Sequence, residues 1–270
     1  MKKNNKYYKE ISVIGAGAWG TALSEVISRQ GNKVNLWARE DNVVKSINTS
    51  NTNDLYLPNI KLSELISAHN DFSGVLNCDL MLMVTPAQFM RSILNDIKDN
   101  LHETIPIVLC SKGIETKTLN LMSEIAEAII PNNPLAVLSG PSFAIDVVNN
   151  KPTAVTLACK DPNIGKNIAD SISLPEFRPY LSEDVIGAQI GGATKNVIAI
   201  AAGVVQGQNL GDSARAAIIA RGYSEINRLA VALGGQEETL SGLSGMGDLS
   251  SKNSCQSFLS LFDSLSFFFT

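Results

Sequence analysis

The stretch Lys9-Glu10-Ile11-Ser12-Val13-Ile14-Gly15-Ala16-Gly17-Ala18-Trp19-Gly20 decides the fold. It opens as a short β-branched run stopped by glycine, the pattern of a strand buried in a parallel sheet. It continues as Gly-x-Gly-x-x-Gly into residues 19–30, which have helical composition and end at Gly31, suited to a C′ position. A glycine hexapeptide alone is a weak signal; a strand before it and a helix after it are the confirming context. Gly15 makes the tight turn, Gly17 removes a Cβ where backbone must approach a pyrophosphate, and Gly20 lets the helix lie close to the strand. The start of the helix, with Ala18 and Trp19, offers unpaired N–H groups and partial positive charge to an anion.

Outward from this loop, apolar and polar stretches alternate. Residues 34–38 read as a second strand, followed by Arg39-Glu40. An acid at such a strand end binds a ribose 2′-hydroxyl, whereas an arginine accommodates a 2′-phosphate, so both NADH and NADPH are compatible. Strands are expected at 80–85, 105–110, 135–138, 153–158 and 177–181, and helices at 87–97, 116–130, 141–148 and 162–172. Strands alternating with helices of about ten residues indicate a doubly wound, mostly parallel α/β sheet of the Rossmann type. From residue 182 no strand is read. Residues 183–208 form a long buried helix and 212–233 a second, with Asp212 as its N-cap and Gly234 at its end. The expected organisation is a dinucleotide-binding domain over 1–181, an incomplete all-α domain over 182–249 and an atypical tail over 250–270.

The 270 residues allow one large domain or two unequal ones. A hydrophobic fraction of 44% against 18% charged residues excludes a wholly disordered chain. With 22 basic and 26 acidic residues the net charge is −4, so no basic excess argues for nucleic acid or an anionic membrane. An anionic ligand must then be held by a few placed groups. Cys78, Cys110, Cys159 and Cys255 form no Cys-x-x-Cys pair, and His69 and His102 are the only histidines; neither a metal site nor a disulfide framework is expected. Lys2, Lys3, Lys6 and Lys9 precede an apolar stretch, but Gly15, Gly17, Gly20, Glu25 and Arg29 break the resemblance to a secretory signal. Gln189, Lys195 and Asn196 argue against the alanine-rich helix spanning a membrane. The expectation is a cytoplasmic protein.

Three further places carry chemistry. Ser111-Lys112-Gly113 follows a strand, at the edge where open α/β sheets bind ligands. Ser139-Gly140-Pro141-Ser142-Phe143-Ala144 also follows a strand and opens an expected helix, a second place for N–H groups to meet an anion. Lys195 lies mid-helix among Ala193, Val197, Ile198 and Ala199. Burial there disfavours its charged form and tunes it for proton exchange; a packed stem with the amine in water is the alternative.

These segments together resemble a known family. Gly15–Leu23 (GAGAWGTAL), 111–115 (SKGIE), 138–144 (LSGPSFA), 195–199 (KNVIA) and 242–249 (GLSGMGDL) follow the order found in the bacterial NAD(P)-dependent glycerol-3-phosphate dehydrogenases. The resemblance covers about residues 9–249. It implies reversible hydride transfer between NAD(P)H and dihydroxyacetone phosphate, a small-molecule phosphate substrate, giving sn-glycerol 3-phosphate for glycerophospholipid synthesis. It also implies roles: Ala18, Trp19, Arg39 and Ala144 for cofactor contact, and Lys112 for contact with cofactor and substrate. Gly140, Ser142 and Asp248 would touch substrate, Lys195 would be the general acid/base, and Asn196 would help orient substrate. A homodimer is compatible with this fold.

The resemblance weakens after Leu249. Family members continue with a Ser-Arg-Asn triplet and further helices, whereas this chain has Ser-Ser-Lys-Asn-Ser-Cys-Gln and no arginine after Arg228. Residues 251–270 hold six serines and five of the nine phenylalanines, with Phe258, Leu261, Phe262, Leu265 and Phe269 at helical spacing. The expectations are therefore a truncated or frame-shifted chain, reduced activity and uncovered apolar surface over 183–233. Two alternatives stand beside the dehydrogenase: a nucleotide-binding remnant without catalysis, and another β-hydroxyacid-type dehydrogenase.

Overall fold

The computed structural model describes residues 8–247. Asp248 and the tail over 250–270, with Cys255, lie outside the described residues. The strands are β1 (Glu10–Ile14), β2 (Lys33–Trp37), β3 (Thr52–Asn53), β4 (Leu57–Lys61), β5 (Ile66–His69), β6 (Leu80–Met83), β7 (Ile107–Leu109), β8 (Leu135–Ser139), β9 (Thr153–Cys159) and β10 (Phe177–Ser182). The helices are α1 (Ala18–Arg29), α2 (Asp41–Ser50), α3 (Ser73–Leu76), α4 (Met90–Ile97), α5 (Met122–Ile129), α6 (Ala144–Val148), α7 (Pro162–Ile172), α8 (Val185–Gly207), α9 (Asp212–Ala232) and α10 (Glu237–Ser241). Eight strands form one sheet in the order β10-β9-β8-β7-β6-β1-β2-β5. The six from β8 to β5 run parallel, which places β1 where the strand order reverses.

Alternation along the strands builds both cores. Ile11, Val13, Leu80, Leu82, Val108, Ala136 and Leu138 face one layer of helices. Ile14, Met81, Met83, Ile107, Leu109 and Val137 face the other. Residues i and i+1 point to opposite faces of a strand, so a sheet covered on both sides must be apolar at every position. α4 supplies the matching helical pattern, with Met90, Ile93, Leu94 and Ile97 buried. Asp161 caps α7 by accepting from the Asn163 and Ile164 N–H groups, with Pro162 in its first turn.

Several expectations are corrected. β9 runs antiparallel to β8, and only β10 restores a parallel pair beside it. The helix read over 116–130 begins at Met122. Residues before it form a loop closed by an Ile114–Leu121 bridge, with Glu124 accepting from the Leu121 N–H at 2.7 Å. The helix read over 141–148 begins at Ala144 and is five residues long. Gly211, with φ +88°, is the N-cap of α9, and Asp212 is its first residue. The segment 41–76 holds α2, the β3–β4 hairpin, β5 and α3, none of which the sequence reading placed.

The second half is helical, as expected. Asp184 caps α8, accepting from the Gly187 N–H at 2.8 Å and the Gln236 N–H at 2.8 Å. Gln189 ties α8 to α5 by exchanging hydrogen bonds with Ser123 at 2.9 and 2.8 Å. α8 is long and apolar enough to cross a membrane. Its apolar character is used inside the fold, where Ile190 packs with Leu121, Ile226, Ala230 and Leu240. Val197, Ile200, Val204, Leu229, Val231 and Leu233 are exposed.

The loop carrying Lys112 is anchored by charge. Arg91 grips Glu115 with two hydrogen bonds of 2.8 Å, and Thr118 donates to the same carboxylate. This company holds the Glu115 carboxyl down at about 2. A lowered folded-state value stabilises the fold above the ordinary carboxylate range, and the benefit fades as pH falls toward about 2. Thermal unfolding of the protein and of Glu115→Gln should therefore differ most near neutrality and converge only as pH falls to about 2; a gap that stays constant with pH would contradict the linkage. Gly20 gives a second expectation. A Cβ there would sit 1.8 Å from the Gly15 carbonyl oxygen. Gly→Ala in a helix normally stabilises by about 1 kcal/mol, but Gly20→Ala should destabilise by roughly 1–3 kcal/mol in denaturant titration.

Candidate functional site

The carboxyl edge of the parallel strands gathers the expected residues. After β1, Gly15 adopts φ +118°, and a Cβ on it would lie 2.9 Å from the Val84 carbonyl oxygen beyond β6. Gly15 and Gly20 are thus glycine because protein backbone lies against them. Gly17 differs: its φ of −65° suits any residue, and a Cβ there would meet nothing within 4 Å. Neither backbone geometry nor packing requires glycine at this position. A ligand that comes close to the backbone does. Gly17 is also the N-cap of α1 and makes no side-chain capping bond, and no acid occupies the first turn. The cradle therefore fits the pyrophosphate of a dinucleotide.

The other expected cofactor residues surround this loop. Ala18 and Trp19 form the first turn of α1, where the Trp19 ring packs against Phe177 at a centroid distance of 6.5 Å. Ala144 begins α6, which lies against α1. Arg39 follows β2 with its side chain 75% exposed, and its guanidinium donates to Glu40 Oε1 at 3.1 Å. Tyr56, from the β3–β4 hairpin, donates to the same oxygen at 3.1 Å. The two candidate readers of the ribose 2′ position thus form one cluster with Tyr56, a residue the motifs did not indicate.

The residues expected to touch substrate meet beside β7 and β8. Lys112 Nζ donates to the Gly140 carbonyl at 2.9 Å, and Ser142 Oγ donates to the same oxygen at 3.3 Å. Gly140 has φ +150°, and a Cβ on it would lie 3.0 Å from Val155 Cα, so its conformation is closed to other residues. The carbonyl of Gly140 therefore aims the ammonium of Lys112.

Helix α8 closes the site. A Cβ on Gly192 would lie 2.7 Å from Ser139 Oγ and 3.5 Å from Lys112 Cγ, and one on Gly191 would lie 2.3 Å from the Ser244 carbonyl oxygen. Lys195 lies on the same buried face, one turn further on, and is 5% exposed. Most of its side chain is therefore packed inside the fold. Asn196, the next residue, lies on the exposed side. The segment 243–247 packs over α8, and a Cβ on Gly247 would come within 3.7 Å of Pro141 Cγ. Thr85 Oγ1 and Ser139 Oγ, at the ends of β6 and β8, are buried hydroxyls without hydrogen-bond partners among the described residues. Ser139 opens the Ser-Gly-Pro-Ser-Phe-Ala motif without a role of its own there, and no motif includes Thr85; a short polar residue at a strand end carries no signal until the strands are assembled. Cys110 and Cys159 are buried and Cys78 half-buried; burial pushes all three thiols up, which keeps them from reacting as thiolates.

Comparison with known proteins agrees with this geometry. Residues 10–165 match the family model for the N-terminus of NAD-dependent glycerol-3-phosphate dehydrogenase, and residues 184–260 the model for its C-terminus. The chain is 50% identical over 242 residues to glycerol-3-phosphate dehydrogenase [NAD(P)+] of Parvibaculum lavamentivorans, covering 90% of this chain and 73% of that protein. It is 50% identical over 241 residues to the enzyme of that name from Paramagnetospirillum magneticum, covering 89% and 88%. The crystal structure of glycerol-3-phosphate dehydrogenase from Coxiella burnetii superimposes with a TM-score of 0.85 at 36% identity, covering 93% of this chain and 76% of that one. The chain belongs to the NAD-dependent glycerol-3-phosphate dehydrogenase family.

Proposed function

We propose that Lys195, Lys112, Gly140 and Ser142 form the substrate half of the site, and Gly15, Gly17, Ala18, Trp19, Gly20, Arg39 and Ala144 the cofactor half, for the reaction of this family. That reaction is reversible reduction of dihydroxyacetone phosphate to sn-glycerol 3-phosphate, a precursor of glycerophospholipids. The observation that carries the reading is the burial of Lys195 on the face of α8 that rests on Ser139 and Lys112. Asp248 is kept as a substrate residue on its motif alone. When bound, the nicotinamide supplies the hydride.

The chain's own groups handle charge and proton. Hydride addition to the ketone carbon turns the carbonyl oxygen into a developing alkoxide. The Lys195 ammonium stabilises that charge and delivers a proton from Nζ, leaving the alcohol and a neutral amine that takes a proton back. Its buried surroundings strengthen the attraction relative to water. Lys112, aimed by the Gly140 carbonyl, presents a point positive charge to the phosphate or carbonyl oxygen, and Ser142 lies beside the same carbonyl. The cluster of Arg39, Glu40 and Tyr56 reads the ribose 2′ position, with Arg39 favouring a 2′-phosphate. A cytoplasmic location and a homodimeric assembly belong to the same proposal.

Two variants test it. Lys195→Ala should lower kcat by about 10²–10⁴-fold while NADPH binding, followed by nicotinamide fluorescence, stays within about twofold. Comparable turnover by the variant would remove Lys195 from the chemistry. Arg39→Ala should raise the KM for NADPH about tenfold and leave that for NADH nearly unchanged, since the lost charge-assisted contact is specific to a 2′-phosphate. Equal effects on both cofactors would show that Arg39 does not discriminate between them.

A further inference from the structure

The geometry points to Asn53 as a positioning residue that fixes the direction of the Gly17 N–H, and so sets the affinity of the glycine loop for both dinucleotides. This rests on the reading of that loop as the pyrophosphate cradle. Asn53 is 1% exposed and comes from the β3–β4 hairpin, outside the main sheet. Its Nδ2 donates to the Ala16 carbonyl at 2.8 Å and to Thr21 Oγ1 at 2.8 Å. Thr21 Oγ1 in turn donates to the Ala16 carbonyl at 3.2 Å. One backbone oxygen in the centre of the glycine loop therefore holds two buried side-chain donors.

The consequence follows from peptide planarity. The Ala16 carbonyl and the Gly17 N–H belong to one trans amide and point in opposite directions. Holding the carbonyl inward aims the N–H outward. Glycine flanks this amide and permits conformations that other residues would block, so the loop needs an external restraint to stay in one of them. The anchoring is costly: Asn53 Oδ1 is buried and has no partner among the described residues. The hairpin carrying Asn53 is itself tied to α2, through the Leu62 N–H to the Asn51 carbonyl at 2.8 Å and Lys61 Nζ to the Ser50 carbonyl at 2.8 Å. Its Tyr56 reaches Glu40. A single hairpin thus holds both the phosphate loop and the residues at the ribose end.

The test compares Asn53→Ala and Asn53→Val with Gly17→Val, a substitution whose side chain enters space empty of protein. Titration of each apo-protein with NADPH and with NADH gives cofactor Kd. Hydrogen exchange of the 15–20 amides in the apo-protein reports the loop directly. Asn53→Ala should raise Kd for both cofactors about tenfold and speed exchange at Gly17, while the KM for dihydroxyacetone phosphate and the saturated kcat stay within about twofold. A merely structural role would lower the melting temperature and leave cofactor Kd unchanged, or damage all kinetic constants together. If Asn53→Ala does not fold, Asn53→Val is decisive, because it removes the Asn53 donor to the Ala16 carbonyl while filling more of the space. Unchanged Kd in a folded Asn53 variant overturns the role of Asn53. Unchanged Kd in Gly17→Val would instead overturn the cradle on which it rests.

Discussion

Backbone contact at Gly191 and Gly192 is the constraint on which the site depends. Helix α8 comes so close to the sheet edge and to the 243–247 segment that a methyl group at either position would meet Ser139 Oγ or the Ser244 carbonyl. Glycine within a helix costs about 1 kcal/mol relative to alanine, and α8 accepts that cost at consecutive positions. The close approach joins the helical half to the nucleotide-binding half and brings the Lys195 face down onto Lys112 and β8. Were α8 held off by the thickness of a side chain, Lys195 would sit in water and its chemistry would be that of an ordinary surface amine.

The electrostatic character follows from this packing. A chain with net charge −4 has no global field to draw in a phosphate ester. In the proposed site the attraction comes from placed groups: Lys112, oriented by the carbonyl of Gly140, and the buried Lys195. Taking an ammonium out of water is unfavourable unless negative or dipolar groups surround it. In the proposed reaction an anionic substrate adds such company, and the same groups face the oxygen on which charge develops. Arg91 and Glu115 serve this arrangement at one remove, because they anchor the loop that presents Lys112.

β6 and β7 are legible as unbroken apolar runs, and β1 and β2 as short runs rich in Val, Ile and Leu bounded by glycine or charged residues. The strand order and the antiparallel β9 are not, since alternation along a strand is the same in either direction. The segment 41–76 escaped because its elements are short and polar: α2 reads Asp-Asn-Val-Val-Lys-Ser-Ile-Asn-Thr-Ser, with only Val43 and Ile47 buried. Asn53 was invisible for the same reason, being one asparagine in a stretch of turn-forming residues that acts on a loop 37 positions away. Lys195 was picked out as an oddity within an apolar helix, but only tertiary packing decides whether such a lysine is buried or reaches water.

The three glycines of the loop show how packing and function separate. Gly15 and Gly20 lie against protein backbone, and any α/β protein with so close a strand–helix turn would need them, whether or not it bound a nucleotide. Gly17 touches nothing and has an ordinary backbone conformation, so protein stability gives no reason for it to be glycine. Alanine there would reduce the freedom of the unfolded chain and should stabilise the fold by about 0.4–1 kcal/mol. A position that forgoes this stabilisation is explained by something outside the protein that must come within contact of the backbone. In the proposed site, at the N-terminus of α1, that something is the pyrophosphate of the dinucleotide.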